Sequence, residues 1–367
     1  MSEESLPVLL VASSFSRFRV PQFAALDRIR PTEFVFFAGP EAGPAGIDPE
    51  RERLDISVRS VSQLEVGALA LSARYSAVVC IDAGTVALPL AFAGATATRK
   101  PLVIWASLWE LPSDLSGRVA APVKRFIYRH AGAVASYGTH VSEAVRDAGA
   151  ERVVEVPQAV DNDFWGASVE PDRSAGFEVV FVGRFDSIKG ISTLIEAWSR
   201  SGLAAKGGRL RMVGVGTYEA PAEVEGIEVM GTLDPGALRR VYAGSDVLVL
   251  PSVRTHHFRE PWGRVVNEAM NQGVAVIASD QVGAAAGGLV RDRDTGIVFP
   301  AGDASALGDA LVLLHGDPEL RRRLGESGHR EVAAYAPESW ALGMNSALEI
   351  AGAAPTRSVE VAAPVEK

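Results

Sequence analysis

The chain has 367 residues, 47% hydrophobic and 22% charged, with a formal net charge of −9 at pH 7. That length favours two domains over a single core, and the composition is that of an ordinary globular protein. The acidic balance argues against a general nucleic-acid binder, and one cysteine, Cys80, excludes an intramolecular disulfide framework or a cysteine-rich zinc site.

Short apolar runs alternate with longer helical patterns, the mark of βαβ units and parallel sheets covered on both faces. In the first half, strands are expected at 7–12, 33–38, 56–60, 77–81, 101–105, 133–136 and 152–156. Helices are expected at 19–29, 62–73, 85–97, 118–130 and 139–148. The first strand, Pro7-Val8-Leu9-Leu10-Val11-Ala12, has no basic segment ahead of it and is too short for a signal peptide or a membrane span. A cytoplasmic protein is therefore expected, with peripheral contact at the inner membrane face left open. Cys80 reads as a buried strand residue. The segment Ser116 to His130 carries Val119, Val123, Phe126 and Ile127 with Arg118, Lys124, Arg125 and Arg129 around them. It reads as a core-facing helix with a solvated basic side, contact with anionic lipid being the alternative.

Pro157 to Trp165 and the polar stretch Ser168 to Gly176 read as a linker. A second alternating series follows, with strands near 178–183, 209–213, 227–229, 247–250, 274–278 and 297–299. Its helices are expected near 190–200, 235–243, 261–272, 304–314 and 317–334. Pro337-Glu338-Ser339-Trp340 opens one more amphipathic helix, placed to pack back across the first half. The expected division is a first domain of residues 1–165 completed by a crossover helix at 338–352, a second domain of 176–337, and a disordered tail at 353–367.

Ligands of open parallel sheets bind at the carboxyl ends of the strands. There the second domain carries Gly183-Arg184-Phe185-Asp186-Ser187-Ile188-Lys189-Gly190, a glycine turn followed by two cations beside a helix start, which suits a diphosphate. The next strand ends in Val213-Gly214-Val215-Gly216, a partial dinucleotide fingerprint that lacks the third glycine and supports no nicotinamide site. The stretch Phe258 to Met270 holds Glu260-Pro261-Trp262-Gly263-Arg264 and then Glu268. Pro261 is expected to open a helix that Gly273 closes, with Glu260 at its mouth and Glu268 inside, where a buried carboxylate needs a partner. On such a helix the two carboxylates would lie about 12 Å apart at a rise of about 1.5 Å per residue. That exceeds the roughly 5–9.5 Å of a paired-carboxylate hydrolase.

The set Gly183-Arg184-Phe185-x-x-x-Lys189-Gly190, Val213-Gly214-x-Gly216, Gly231, Val249-Leu250-Pro251-Ser252 and Glu260-x7-Glu268-Ala269-Met270 resembles a retaining glycosyltransferase of family 4. So does Ile277-Ala278-Ser279-Asp280-x-Val282-Gly283, followed by Leu289-Val290 and Thr295-Gly296. The resemblance spans nearly the whole second domain and implies the GT-B fold, two Rossmann-like domains facing across a cleft. It implies transfer of a hexose from a nucleotide diphosphate sugar to a hydroxyl acceptor, forming an α-glycoside, with no cofactor and no metal. Arg184 and Lys189 would hold the diphosphate, Glu268 the ribose hydroxyls and Glu260 a hydroxyl of the transferred sugar. Gly183, Gly214 and backbone N–H groups near Gly263 and Arg264 would lie against the donor, and the Gly231 loop against its base.

The match thins in the first domain. Where many relatives carry a glycine pair, this chain has Ser13-Ser14-Phe15-Ser16-Arg17-Phe18-Arg19-Val20-Pro21. Ser14, Arg17 and Arg19 are candidates for the acceptor cleft or the donor phosphates. Where many relatives carry a histidine after the fifth strand, this chain reads Trp105-Ala106-Ser107-Leu108-Trp109-Glu110. Ser107 and Glu110 are candidates for the cleft, the two tryptophans suit either stacking on a sugar or a core, and His256 and His257 face the cleft from the other side. His130 and His140 read as structural. Asp161-Asn162-Asp163 and Asp292-Arg293-Asp294 read as turns rather than metal sites. A nucleotide-sugar 2-epimerase and a non-catalytic sugar-nucleotide binding protein are the competing readings.

Overall fold

The structure is a computed structural model and describes residues 6–37, 56–110, 115–216, 224–255 and 259–356. His256 and His257, part of the expected tail and part of the expected 33–38 strand lie outside the described residues.

The first sheet contains β1 (Val8–Ala12), β2 (Thr32–Phe36), β3 (Val58–Ser60), β4 (Ala77–Ile81), β5 (Leu102–Ala106), β6 (Ala133–Ser136) and β7 (Val153–Glu155). All pairings are parallel, in the order β3-β2-β1-β4-β5-β6-β7. The second contains β8 (Glu178–Val182), β9 (Arg209–Val213), β10 (Ile227–Gly231), β11 (Val247–Leu250), β12 (Ala275–Ser279) and β13 (Ile297–Phe299). It is also parallel, in the order β10-β9-β8-β11-β12-β13. The central strands bury both faces, as in VLLVA of β1 and AVVCI of β4, because helices cover each sheet on either side. The strand order reverses between β1 and β4 and between β8 and β11, so each sheet opens a crevice there at its carboxyl edge.

The helices are α1 (Val20–Ile29), α2 (Glu65–Leu71), α3 (Ala87–Ala97), α4 (Leu115–His130), α5 (Thr139–Asp147), α6 (Asn162–Gly166) and α7 (Ile191–Ser201). Then come α8 (Pro235–Gly244), α9 (Val265–Asn271), α10 (Gly283–Ala286), α11 (Ala304–Gly316), α12 (Pro318–Val332) and α13 (Pro337–Ile350). Three differences from the expected elements have clear causes. The linker contains the short helix α6, and its N-cap is Asp161, whose side chain accepts a hydrogen bond from the Phe164 N–H at 3.0 Å. This gives Asp161 a structural task. The apolar residues Val119, Val123 and Phe126 of α4 do not face the core; they are 71%, 47% and 55% exposed, while Ile127 and Tyr128 supply the buried side. The third difference is α9, which begins at Val265 rather than at Pro261.

Helix α13 crosses back to the first domain and packs on α1 and the β5–β7 side of the first sheet. Trp340 is 1% exposed and meets Phe23 and Trp105 at ring-centroid distances of 5.9 and 5.4 Å. The buried Arg30 donates through Nε to Asn345 Oδ1 at 2.9 Å, which ties the end of α1 to the same helix. Truncating a buried aromatic of this size costs about 3–5 kcal/mol. Trp340→Ala is therefore expected to lower the thermal midpoint followed by circular dichroism, with the first domain melting ahead of the second. An unchanged melting curve would show that α13 is not needed for the first core.

Candidate active site

The carboxyl edges of the two sheets face one another across a cavity of about 620 Å³. Its first-domain wall includes Ser13, Phe18, Arg19, Ser107, Tyr137 and Gln158. Its second-domain wall includes Gly183, Arg184, Lys189, Gly214, Thr232, Leu238, Glu260, Gly263, Arg264 and Glu268.

The floor on the second-domain side depends on close backbone approach. A Cβ on Gly214 would lie 1.6 Å from the Gly183 carbonyl oxygen, so the ends of β8 and β9 meet only because residue 214 has no side chain. The Gly214 N–H donates to Gly231 O at 2.8 Å, which places Gly231 behind this floor, with Thr232 on the cavity surface. After Gly183, Arg184 stays half exposed and pairs with Asp186 at 3.2 Å. Lys189 ends a 3-10 turn just before α7 and points inward, its side chain 12% exposed.

Lys189 forms an ion pair with Glu260, whose Oε2 also accepts from Ser252 Oγ at 3.1 Å. Glu260 is not held on a helix. It forms a parallel bridge with Val282, and its carbonyl accepts from the Gly283 N–H at 3.0 Å. The chain from 260 to 264 stays irregular because Gly263 has φ +93°, a conformation no α-helix contains, and a Cβ there would meet Leu250 Cδ2 at 2.6 Å. The separation of about 12 Å expected from helical rise therefore loses its basis. Gly273, at φ +71° two residues past the end of α9, does close that helix as expected.

Glu268 sits inside α9, 5% exposed, and accepts from Tyr242 Oη at 3.0 Å, with Arg264 Nη1 at 3.5 Å. Burial pushes its carboxyl above the ordinary glutamate range, against the lowering influence of Arg264 and the Tyr242 hydrogen bond. Burial also lowers Arg264, with Glu268 opposing and Arg19 reinforcing that shift. Arg264 lies 3.0 Å from the centroid of the Phe18 ring on the first domain.

Other expected residues have different surroundings. Arg19 reaches the cavity from just before α1, stacked over Trp105 at 4.5 Å. Trp105 itself is fully buried, so the sugar-stacking option does not hold for it. Ser107 lines the cavity and is held by the buried Asp82 at the end of β4, which accepts from its N–H and its hydroxyl, both at 3.0 Å. Glu110 pairs instead with Arg254 and, at 2.9 Å, with Arg259, both on the second domain. Arg17 is exposed, and Ser14 lies beside the lining residue Ser13. His140 contacts the second domain, with Nε2 3.2 Å from Pro261 O and its ring against Trp109 and Trp262.

Tyr242, Asp82 and Tyr137 were not anticipated. Asp82 had a visible signal, an acid immediately after the apolar run of β4. Tyr242 and Tyr137 had none, since each reads as an ordinary amphipathic residue. Among the described residues, no group of three or more His, Cys, Asp or Glu side chains is arranged to hold a metal ion, and no helix is long and apolar enough to cross a membrane.

The buried Glu268 generates a pH prediction. Its folded-state value is raised, so its contribution to stability is fully present below the unfolded value of about 4.3 and is lost as pH rises through the folded value. Tyr242→Phe removes a donor to the charged form and raises that value further. The variant is expected to lose about 1–3 kcal/mol near pH 7 and less near the ordinary glutamate value. Thermal melts of both proteins across that range check this; a defect that grows on acidification contradicts it.

Comparisons with known proteins bear on the fold and on the second half of the chain. Residues 176–317 match the family model described as Glycosyl transferases group 1. The chain is 33% identical over 192 residues to a phosphatidyl-myo-inositol mannosyltransferase of Mycobacterium leprae (strain TN), covering 50% of this chain and 49% of that protein. It is 27% identical over 242 residues to an alpha-D-kanosaminyltransferase of Streptomyces kanamyceticus, covering 59% and 60%. The chain thus spans about half the length of the curated relatives it matches. The crystal structure of Anabaena HepE in complex with UDP superposes with a TM-score of 0.76 at 18% identity, covering 94% of this chain and 99% of that one. Sucrose-phosphate synthase from Thermosynechococcus elongatus superposes with a TM-score of 0.68 at 19% identity, covering 93% and 97%. The two parallel Rossmann-like sheets have the GT-B architecture of these structures, and the second of them carries the match to the group 1 glycosyltransferase model.

Proposed function

We propose that the protein is a retaining glycosyltransferase that moves a hexose from a nucleotide diphosphate sugar to a hydroxyl acceptor, forming an α-glycoside without a metal ion. The observation that carries this reading is the Lys189–Glu260 pair on the wall of the cavity between the two sheets. An arriving diphosphate would draw Lys189 toward its own charge and release Glu260 to accept from a sugar hydroxyl. Arg184, half exposed at the rim, would swing from Asp186 to the same phosphates. Glu268 would accept from the ribose hydroxyls, where two fixed acceptors and a polyol match well. Backbone N–H groups at Gly263 and Arg264 would face the phosphate or the sugar.

Bond breaking at the anomeric carbon builds positive charge on the sugar and negative charge on the departing diphosphate. Fixed cations that stabilise the second charge lower the barrier, and positioning supplies much of the rest. The relatives' names, a mannosyltransferase and a kanosaminyltransferase, and the UDP-glucose complex of Anabaena HepE support the same donor class.

Calorimetric titration with UDP, GDP and ADP sugars tests the reading, and one of the three is expected to bind. If none binds, the proposal fails; if one binds and is only epimerised, the epimerase reading replaces it. The product should carry an α linkage by NMR, and a chelator should leave turnover unchanged. Lys189→Ala is expected to lower turnover about 100- to 1,000-fold, the scale of removing one donor to a developing charge. Glu268→Ala should weaken nucleotide affinity about ten- to hundred-fold.

The exposed Val119, Val123 and Phe126 of α4, set among the exposed Arg118, Arg125 and Arg129, favour a peripheral membrane contact as part of the same proposal. Flotation with anionic vesicles should recover the protein, and Phe126→Asp should abolish that recovery. Equal recovery of both proteins would remove the membrane contact.

A further inference from the structure

Arg19 is the one charge on the first-domain wall of the cavity among the described residues. Its Nη1 is buried and has no hydrogen-bond partner among the described residues. Among the described residues its Nη2 reaches only the neutral Tyr137 hydroxyl, at 3.4 Å, and the group otherwise lies over aromatic faces, at 4.5 Å from the Trp105 centroid and 5.6 Å from that of Phe18. An arginine remains charged in such a place, and a buried donor without an acceptor is costly. Arg264 arrives from the second domain onto the other side of this corner, over Phe18, with Glu268 its one carboxylate partner among the described residues, at 3.5 Å. Both guanidinium groups lie over the Phe18 ring, 5.6 and 3.0 Å from its centroid, and Arg19 disfavours the charged form of Arg264. Two cations converging in a poorly hydrated corner are stabilised by an anion that both can reach.

Arg184 and Lys189 lie elsewhere, on the loop that follows β8, and in the proposed reading they are taken up by the donor diphosphate. Arg19 belongs to the opposite domain and to the wall that holds Ser107 and Tyr137. We propose that Arg19, with Arg264 across the cleft, forms a second anion site for a phosphate or carboxylate on the acceptor, so that the enzyme selects an anionic polyol over its neutral parent. This rests on the glycosyl-transfer reading and adds the acceptor's charge class to it. The same wall carries no carboxylate among its described lining residues, so it offers no countercharge to an acceptor bearing an ammonium group.

The test is calorimetric titration of a hexose 6-phosphate, a hexuronate and the neutral hexose, on the free protein and on protein saturated with nucleoside diphosphate. The wild-type chain is expected to bind at least one anionic sugar ten-fold or more tightly than the neutral one. Arg19→Gln should abolish that preference while leaving nucleoside diphosphate affinity within about three-fold. Arg19→Lys, which keeps a charge, should retain part of the preference, and equal melting temperatures separate lost charge from lost folding. Wild-type protein with no preference for either anionic sugar overturns the proposal. So does a ten-fold loss of nucleoside diphosphate affinity in Arg19→Gln, which would assign the site to the donor. Wild-type protein that takes no nucleotide sinks the glycosyl-transfer reading instead, and the sugar preference is then read on the free protein.

Discussion

The cavity depends on a fully buried amide. Asn267 sits on α9 with no exposure, and its side chain cannot be left unsatisfied there. It accepts from Trp262 Nε1 at 2.8 Å and donates to Gln158 O, on the chain leaving the first domain, at 3.3 Å. A few residues away, His140 of the first domain meets Pro261 O. This polar seam pins the segment 260–264 against both halves of the molecule. The segment then has one available path, and that path sends Glu260 toward Lys189 and Arg264 toward Phe18.

The site holds its charges at a cost in stability. Glu268 is desolvated with two partners, and Lys189 and Glu260 share a nearly enclosed pair. Buried ion pairs are poor sources of stability, because desolvation offsets most of their attraction. Apolar residues of similar volume would hold these positions at least as well. In the proposed reading, a polyhydroxylated, phosphorylated ligand is what these charges are kept for. It would replace each protein partner with one of its own, so the groups that strain the free protein become the groups that bind.

Much of this was legible along the chain. Alternating apolar runs located the strands to within a residue or two, since strands buried on both faces leave a continuous apolar signature. The cations Arg184 and Lys189 stood out on a glycine loop at a strand's carboxyl end, and Glu268 stood out as a charge within an apolar helical pattern that Glu260 opens. The helix start at Pro261 was misread for a specific reason. Proline at a first helical turn is a sound local signal, yet Gly263 two residues later, with a positive φ, outweighs it through contacts with Leu250 and Val282 that lie elsewhere in the sequence. Helix α4 was misread similarly: an apolar stripe says that a face wants cover, not that the fold supplies it.

The sequence by itself determined the two parallel sheets, the crossover helix and the charged residues at the strand ends, because each follows from local periodicity and from the placement of polar groups in apolar runs. Which of those residues meet was decided only by the tertiary structure. Asp82 beneath Ser107, Tyr242 on Glu268 and Arg264 over Phe18 all join residues distant in the chain, and Arg264 and Phe18 meet across two domains. Such pairings have no local signature. They arise when two independently patterned sheets close their carboxyl edges on one cavity, and the distance between groups is then set by packing rather than by spacing in sequence.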